Sequence, residues 1–530
     1  MPSPNPLIEP KPDAASPRRG ADLFETGHLL SDLRARSVRG GAITLGVEVC
    51  QFVLQMVSTM VLARLLTPAD YGLIAMVSAV TGFLSMFSNL GLSTATIQKA
   101  EINHDQVSTL FWINVGLGVL VALVVVALAP AVAWFYGDSR LTWITMALGA
   151  GFIFAGLSVQ HQALLTRQMR YLTIGIVGIV SMTIGITAGI AAALSGAGYW
   201  SLVVLSLVTA LSRVLGKWIV LPWMPGRPKR GVGVRAMLGF GGNITAFNIV
   251  NYFSRKADDI LIGKAWGSTE LGFYNKAYSL LMMPLSQLRG PLMSVAMPSL
   301  SRLQTQPERF RSYYLKMLQV LAFLSMPLAA FLGAFSHDIV LLVLGPQWGE
   351  AATIFTILAF VAVLQPMAST VGTVLVTLGQ TGKHLRLGVV VAALCVVSFV
   401  VGLPWGARGV ALSYTLFGYA TLIPYLHFAL KETPVSLRDF LKVFAMPMPA
   451  TIGMVLAGKG IAYLCSDFPS IVTLLLASAS GGLVYLGVIW IQPGGSEVLE
   501  DLRTNLRLIL KPATRQPDLK QNHSTDPPDR

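Results

Sequence analysis

The stretch Asn251–Pro291, NYFSRKADDILIGKAWGSTELGFYNKAYSLLMMPLSQLRGP, decides how the chain is read. It sits mid-sequence between long apolar runs and carries Arg255, Lys256, Asp258, Asp259, Lys276 and Arg289. Charges at the depth of a membrane span are expensive, and they face a bundle interior or a watery cavity. The stretch also contains an echo. ARLLTPADYGL (Ala63–Leu73) reads against IGKAWGSTELGF (Ile262–Phe273) at an offset of 200. Arg64 then meets Lys264, Asp70 meets Glu270 and Gly72 meets Gly272, each pattern in a short link between two apolar segments. The chain reads as two related halves, with this stretch opening the second.

Composition sets the class. Of 530 residues, 54% are hydrophobic and only 12% are charged, against about 25% charged in a soluble domain. Mean hydropathy is +0.64. The apolar runs reach the roughly 20 residues that cross a bilayer as a helix. They are long and rich in Leu, Val, Ala and Gly, unlike the short alternating segments of a β-barrel. The expectation is an all-α polytopic membrane protein with two six-helix lobes related by an internal repeat and two C-terminal helices, fourteen spans in all. The net charge of +14 reads as topology signals on inner links rather than a nucleic-acid surface. Cys50, Cys395 and Cys465 show no metal spacing and read as small core hydrophobes. No cleavable signal peptide is evident.

The domain plan follows from these runs. Residues 1–36 form a cytoplasmic N-terminal segment, Pro-rich at first, with a short interfacial helix or a linker over 21–36. Residues 37–222 hold helices 1–6, with spans near 38–63, 71–96, 108–135, 141–165, 172–194 and 199–221. Residues 223–235, within PWMPGRPKRGVGVR, are a basic linker whose Pro and Gly argue against continuous helix. Residues 236–431 hold helices 7–12, near 237–262, 272–298, 315–343, 351–378, 386–403 and 408–430. Helices 13 and 14 fall in 432–492, and 493–530 are a polar cytoplasmic tail. With the N-terminus inside, the outer links carry only Arg64, Arg140, Lys264, Arg408 and Lys459, and the inner links and tails carry most of the other basic residues. That bias places both termini in the cytoplasm.

No Walker A loop, HExxH or CxxC pair is present in the sequence, and the links are too short for a catalytic domain. The chain reads as a non-enzyme with no cofactor and no metal. The polar residues at depth remain. Glu48, mid-span in the first helix, is a candidate ion-coupling carboxylate, with a structural hydrogen-bond role as the alternative. Asn89, Asn114, Asn243, Asn248 and Asn251 suit a polar cavity lining or helix–helix contacts. Arg289 lies deep in the eighth span beside Gly290-Pro291, where a helix can kink, and a guanidinium suits a phosphate. An internal ion pair with Asp258 or Asp259 is its alternative. Arg255 and Lys256 cannot point the same way, and pairing among residues 255–259 at i,i+3 or i,i+4 is expected. Arg213 and Lys217 share a face of the sixth span and either receive an anionic headgroup or snorkel. At the offset of 200, Glu48 falls on Asn248, Gln55 on Arg255, Met76 on Lys276 and Asn89 on Arg289. The second half has gained cations, which suits a large amphiphilic anion held against one wall of a shared cavity. Repeated halves around a central site are the plan of a secondary transporter.

The segments LLTPADYGLIAMVSA, FSNLGLSTATIQ, FWINVGLGVL and DDILIGKAWGSTELGFYNKAYSL resemble the polysaccharide flippase branch of the multidrug/oligosaccharidyl-lipid/polysaccharide exporter superfamily. The likeness runs over about residues 36–430 and points to the lipopolysaccharide and colanic-acid exporters of Gram-negative inner membranes. It implies two six-helix lobes forming a V around a cavity that opens alternately inward and outward. It implies a substrate of oligosaccharide on undecaprenyl pyrophosphate, moved from the cytoplasmic to the periplasmic leaflet. Arg289 and Arg255 match, by depth, the cations that meet pyrophosphate or acidic sugars. The expected partners are the lipid-linked oligosaccharide, inner-membrane lipids, a polysaccharide polymerase and a chain-length regulator, with no nucleic acid. A cation-coupled multidrug exporter, a lipid II flippase and a non-transporting scaffold are the competing readings.

Overall fold

The computed structural model describes residues 33–87, 92–99, 102–229, 234–492 and 495; for 33–39, 42, 92, 95, 234–251, 253–255 and 295 it describes backbone alone. The expected N-terminal segment before Leu33, the tail after residue 495, and Asn89 lie outside the described residues, as do the side chains of Asn243, Asn248, Asn251 and Arg255. The first half comprises α1 (Leu33–Leu65), α2 (Pro68–Ser85), α3 (Leu92–Gln98), α4 (His104–Tyr136), α5 (Arg140–Arg167), α6 (Tyr171–Leu194) and α7 (Trp200–Val220). The second comprises α8 (Val234–Arg302), α9 (Pro307–Ala334), α10 (Ser336–Leu344), α11 (Gly349–Ala368), α12 (Val371–Thr377), α13 (Thr381–Gly402), α14 (Gly406–Leu430), α15 (Leu437–Ala445), α16 (Met448–Leu464) and α17 (Ser470–Ile491). Among the described residues, ten segments are long and apolar enough to cross a membrane. Large apolar side chains such as Leu120, Ile184, Ile219 and Leu483 face outward, as lipid contact requires.

Sequential helices pack as antiparallel hairpins, α4 on α5, α6 on α7, α13 on α14 and α16 on α17, while α2 runs along α8. Lipid tails are as apolar as leucine, so packing and satisfied polar groups, not escape from water, hold such helices together. The largest interior cluster joins the halves. Ala63, Leu73 and Met76 of the first meet Ile262, Leu271, Tyr274, Trp348 and Phe355 of the second.

The two echoed links are both chain breaks. Thr67 ends α1's run in an extended conformation and caps α2 in a reciprocal box with Asp70, and Pro68 occupies the first helical turn. At the matching position Gly267 interrupts α8 with φ 81° and ψ −173°, a region open essentially to glycine. α8 is therefore two arms, 234–266 and 268–302. The links then touch reciprocally. A Cβ on Gly72 would lie 1.7 Å from the Ser268 carbonyl oxygen, and one on Gly272 would lie 1.9 Å from that of Pro68. Residues 72 and 268, and 272 and 68, exchange places at the offset of 200, the signature of a two-fold relation.

Several boundaries differ from the sequence reading. The second expected span is described as α2, which ends at Ser85, and α3, which begins at Leu92, with residues 88–91 outside the described residues. The ninth and tenth divide at Phe335 and at Ser369-Thr370. At the second break the Thr370 hydroxyl turns back to the Met367 carbonyl and meets the Tyr314 hydroxyl at 2.8 Å. Gly290-Pro291 stays helical, and the break in α8 is at Gly267 instead. Cys50 is exposed on α1 rather than a core residue, and Cys395 and Cys465 are half-buried.

α3 is held by α5. The buried Arg167 donates from Nη1 to the carbonyls of Thr96 and Lys99 at 3.2 and 2.5 Å, filling acceptors that a helix C-terminus leaves open. Hydrogen bonds to a charged group contribute about 1.5–3 kcal/mol. Arg167→Gln is expected to lower the thermal midpoint in detergent and to expose residues 92–99 to protease, with membrane insertion intact.

Candidate functional site

The second arm of α8 faces the first half through Lys276. Its Nζ sits 4.0 Å from the centroid of the Tyr71 ring, a cation–π contact that helps hold an ammonium away from bulk water. Tyr71 follows directly on the α2 capping box, so the local turn fixes its place. A cavity of about 240 Å³ opens beside the ammonium, lined by Gln55 and Thr59 of α1 and by Lys276, Ser279, Leu280 and Met283 of α8. Hydroxyls, an amide and one cation thus converge between the halves. Among the described residues Lys276 has no ion-pair partner. Such a lining suits an anionic group that can also hydrogen-bond to the hydroxyls and amide.

One end of this cleft is closed. The Trp348 indole, fully buried, donates to the Ala63 carbonyl at 2.9 Å and packs edge-on against Tyr71 and Phe273. Gln347 donates to the carbonyls of Ala63 and Leu66 at 2.7 and 3.1 Å.

Lys256, Asp258 and Asp259, N-terminal to Gly267, are each partnered within α8. Lys256 pairs with Asp259 at 2.6 Å, the expected i,i+3 contact, and Asn275 also reaches Asp259. Tyr274 donates to Asp258 at 2.9 Å. Both aspartates are buried. Arg289 is half-buried and donates from Nη2 to the Ser369 carbonyl at 3.4 Å, within the second half. Arg213 is exposed on α7, and Lys217, one turn on, is half-buried with Nζ 3.5 Å from the Ser158 hydroxyl of α5. Glu48 is exposed on α1, two helical turns from Gln55. The residues proposed from sequence are thus not one cluster. Lys276 alone among them lines the described cavity, and Tyr71, Thr59 and Ser279 are site residues that sequence reasoning missed. Tyr71 had a legible signal, its place inside the echoed ADYGL.

This architecture matches known proteins. A family model described as "Polysaccharide biosynthesis protein" covers residues 61–353, a span that holds both echoed links, Lys276 and Trp348. The chain belongs to this family. Lipopolysaccharide biosynthesis protein WzxC of Escherichia coli (strain K12) is 24% identical over 447 residues, 81% of this chain and 89% of that protein. Teichuronic acid biosynthesis protein TuaB of Bacillus subtilis (strain 168) is 25% identical over 414 residues, 71% and 83% of the two chains. Among solved structures, the lipid II flippase MurJ in an inward closed conformation has the same fold, with a TM-score of 0.67 over 87% of this chain and 99% of that one at 13% identity. An inward-facing MATE multidrug transporter gives 0.56 over 76% and 98% at 14% identity. The chain thus belongs to the polysaccharide biosynthesis protein family and shares its fold with MurJ and that MATE transporter.

Proposed function

We propose that this chain flips oligosaccharide units linked to undecaprenyl pyrophosphate from the cytoplasmic to the periplasmic leaflet of a bacterial inner membrane, for exopolysaccharide or O-antigen assembly. The observation that carries this reading is Lys276, a cation without an ion-pair partner among the described residues, set beside a cavity lined also by Gln55, Thr59 and Ser279 between two repeated halves. An anionic, hydroxyl-rich headgroup matches that lining. A cationic drug does not, because a desolvated ammonium repels it.

Fourteen crossings accommodate the described helices. Each arm of α8 crosses once, α2 with α3 makes one crossing, and so do α9 with α10, α11 with α12 and α15 with α16. The lobes are then residues 37–222 and 236–431, with α16 and α17 outside them. Both termini are cytoplasmic, which puts Gly267 at the periplasmic end. In the working cycle Lys276 takes the anionic group near that end. Arg289, on the same arm, lies thirteen residues away, about 20 Å of helix, and takes charge nearer the cytoplasmic end. Arg255 supplements them, Arg213 and Lys217 hold headgroups at the entrance, and Glu48 is the ion-coupling candidate. A polymerase and a chain-length regulator receive the product.

A lipid II flippase is the second reading, supported by the likeness to MurJ, and it shares the pyrophosphate carrier. Deleting the gene separates the two. Loss of surface polysaccharide with an accumulated lipid-linked oligosaccharide is expected, and growth arrest with accumulated lipid II would favour the second. Reporter fusions at Pro225 and Gln304 should read cytoplasmic and one at Gly267 periplasmic; the reverse would sink the orientation.

A further inference from the structure

The contacts around Gly267 form a reciprocal set that packing of two arbitrary helices does not require. Gly72 admits the backbone of Ser268, and Gly272 admits that of Pro68. Arg64 donates across the halves to the Leu342 carbonyl at 2.6 Å, in the last turn of α10. Its counterpart at the offset of 200, Lys264, donates across to the Phe135 carbonyl in the last turn of α4 and lies 5.2 Å from the Phe135 ring centroid. Each cation therefore meets the negative end of a helix in the opposite half. Residues 63 and 263 repeat the pattern: Ala63 receives the Trp348 indole, and Gly263 lies against the Tyr136 ring, 3.0 Å from where its Cβ would be.

We infer that Gly72, Gly272, Arg64 and Lys264 are the closing surfaces of a gate at the Gly267 end, which parts as one two-fold unit to release substrate. The inference rests on the flipping between leaflets proposed above and adds the residues that govern release. The parts suit a joint that must open. At Gly72 and Gly272 the contact is backbone on backbone, with no side chain to withdraw there, while Trp348 and Gln347 must leave Ala63 and Leu66 as the joint parts. The caps are two cations on carbonyls, each able to exchange its acceptor for water, and neither Arg64 nor Lys264 is locked into an ion pair among the described residues. The two-fold relation couples the contacts, because separating Gly72 from Ser268 by rocking the halves also separates Gly272 from Pro68.

Two measurements on the full-length protein, with Cys50, Cys395 and Cys465 replaced by alanine, test this. In the first, Thr59→Cys reports access to the cavity from the Gly267 side through a membrane-impermeant maleimide. Adding Gly72→Val inserts a branched side chain where a backbone now lies, and labelling is expected to rise at least tenfold. Unchanged labelling at normal abundance would overturn the gate, and this readout does not depend on which lipid is carried. In the second, needed where Gly72→Val fails to accumulate, Phe135→Cys and Lys264→Cys are joined by a reducible bis-methanethiosulfonate. Transport of the lipid-linked oligosaccharide that accumulates in the deletion strain should fall at least tenfold and return on reduction. Full transport by the cross-linked protein would overturn the proposal. A wild-type protein that moves no such lipid but responds in the labelling assay would keep the gate and discard the substrate.

Discussion

Lys276→Met is expected to abolish most polysaccharide export while leaving the amount of protein in the membrane unchanged. Methionine stands at the matching first-half position, Met76, which is buried, so this side chain is compatible with the repeated framework. Its stem approximates that of lysine and keeps an apolar lining beside Leu280 and Met283 at the cavity wall. The substitution removes the charge over Tyr71, a contact contributing about 0.5–2 kcal/mol, and the one cation lining the described cavity. A charge-assisted hydrogen bond to substrate contributes about 1.5–3 kcal/mol, or about 10- to 150-fold in binding. Lys276→Arg keeps the charge and the stacking on tyrosine but carries a wider head, and it should retain part of the activity. Export and carrier-lipid binding measured with abundance check the set. Reduced abundance for Lys276→Met, rescued by Lys276→Arg, would make the residue structural.

The second large effect is on stability. Trp348→Ala empties the point where three elements meet: the Ala63 carbonyl of α1, Tyr71 of α2 and Phe273 of α8. Truncating a buried tryptophan costs about 3–5 kcal/mol, and here it also removes a donor from a buried carbonyl. Gln347 still serves that carbonyl at 2.7 Å. Trp348→Phe, which keeps most of the ring, should therefore cost only about 1 kcal/mol. Thermal midpoints in detergent should fall in the order wild type, Trp348→Phe, Trp348→Ala. Equal midpoints for the two variants would show that the hydrogen bond, not the packing, holds this joint.

The membrane class and the repeat were legible because both rest on local information. Apolar run length marks a helix that can cross a bilayer, and the echo of Gly72 in Gly272 survives as sequence even where Arg64 has become Lys264. Lys276 was visible as a charge replacing Met76, but no local signal ranked it above Arg289 or Arg255. The partner of Lys276 was not visible, because Tyr71 is adjacent only through the docking of α2 on α8, which no local pattern encodes. The backbone stays helical through Gly290-Pro291. A proline inside a helix removes one backbone bond, and a well-packed neighbour can keep the helix in place. Gly267 breaks α8 instead because its φ of 81° is a conformation other residues rarely adopt. The orientation of Arg289 was equally out of reach. Depth said that the charge needs a partner, and only the division of α11 from α12 brings the Ser369 carbonyl to it.

The central claim is that this chain moves an anionic lipid-linked oligosaccharide across the membrane through the cleft that Lys276 lines. The measurement that tests it most directly uses proteoliposomes holding the purified protein and the undecaprenyl-pyrophosphate oligosaccharide extracted from the deletion strain. Transfer between leaflets is read by accessibility of the sugar to a lectin added outside. Wild-type protein should equilibrate the lipid, Lys276→Met should not, and Arg289→Gln should be slowed. Transfer by Lys276→Met at the wild-type rate, or none by the wild type, would contradict the account.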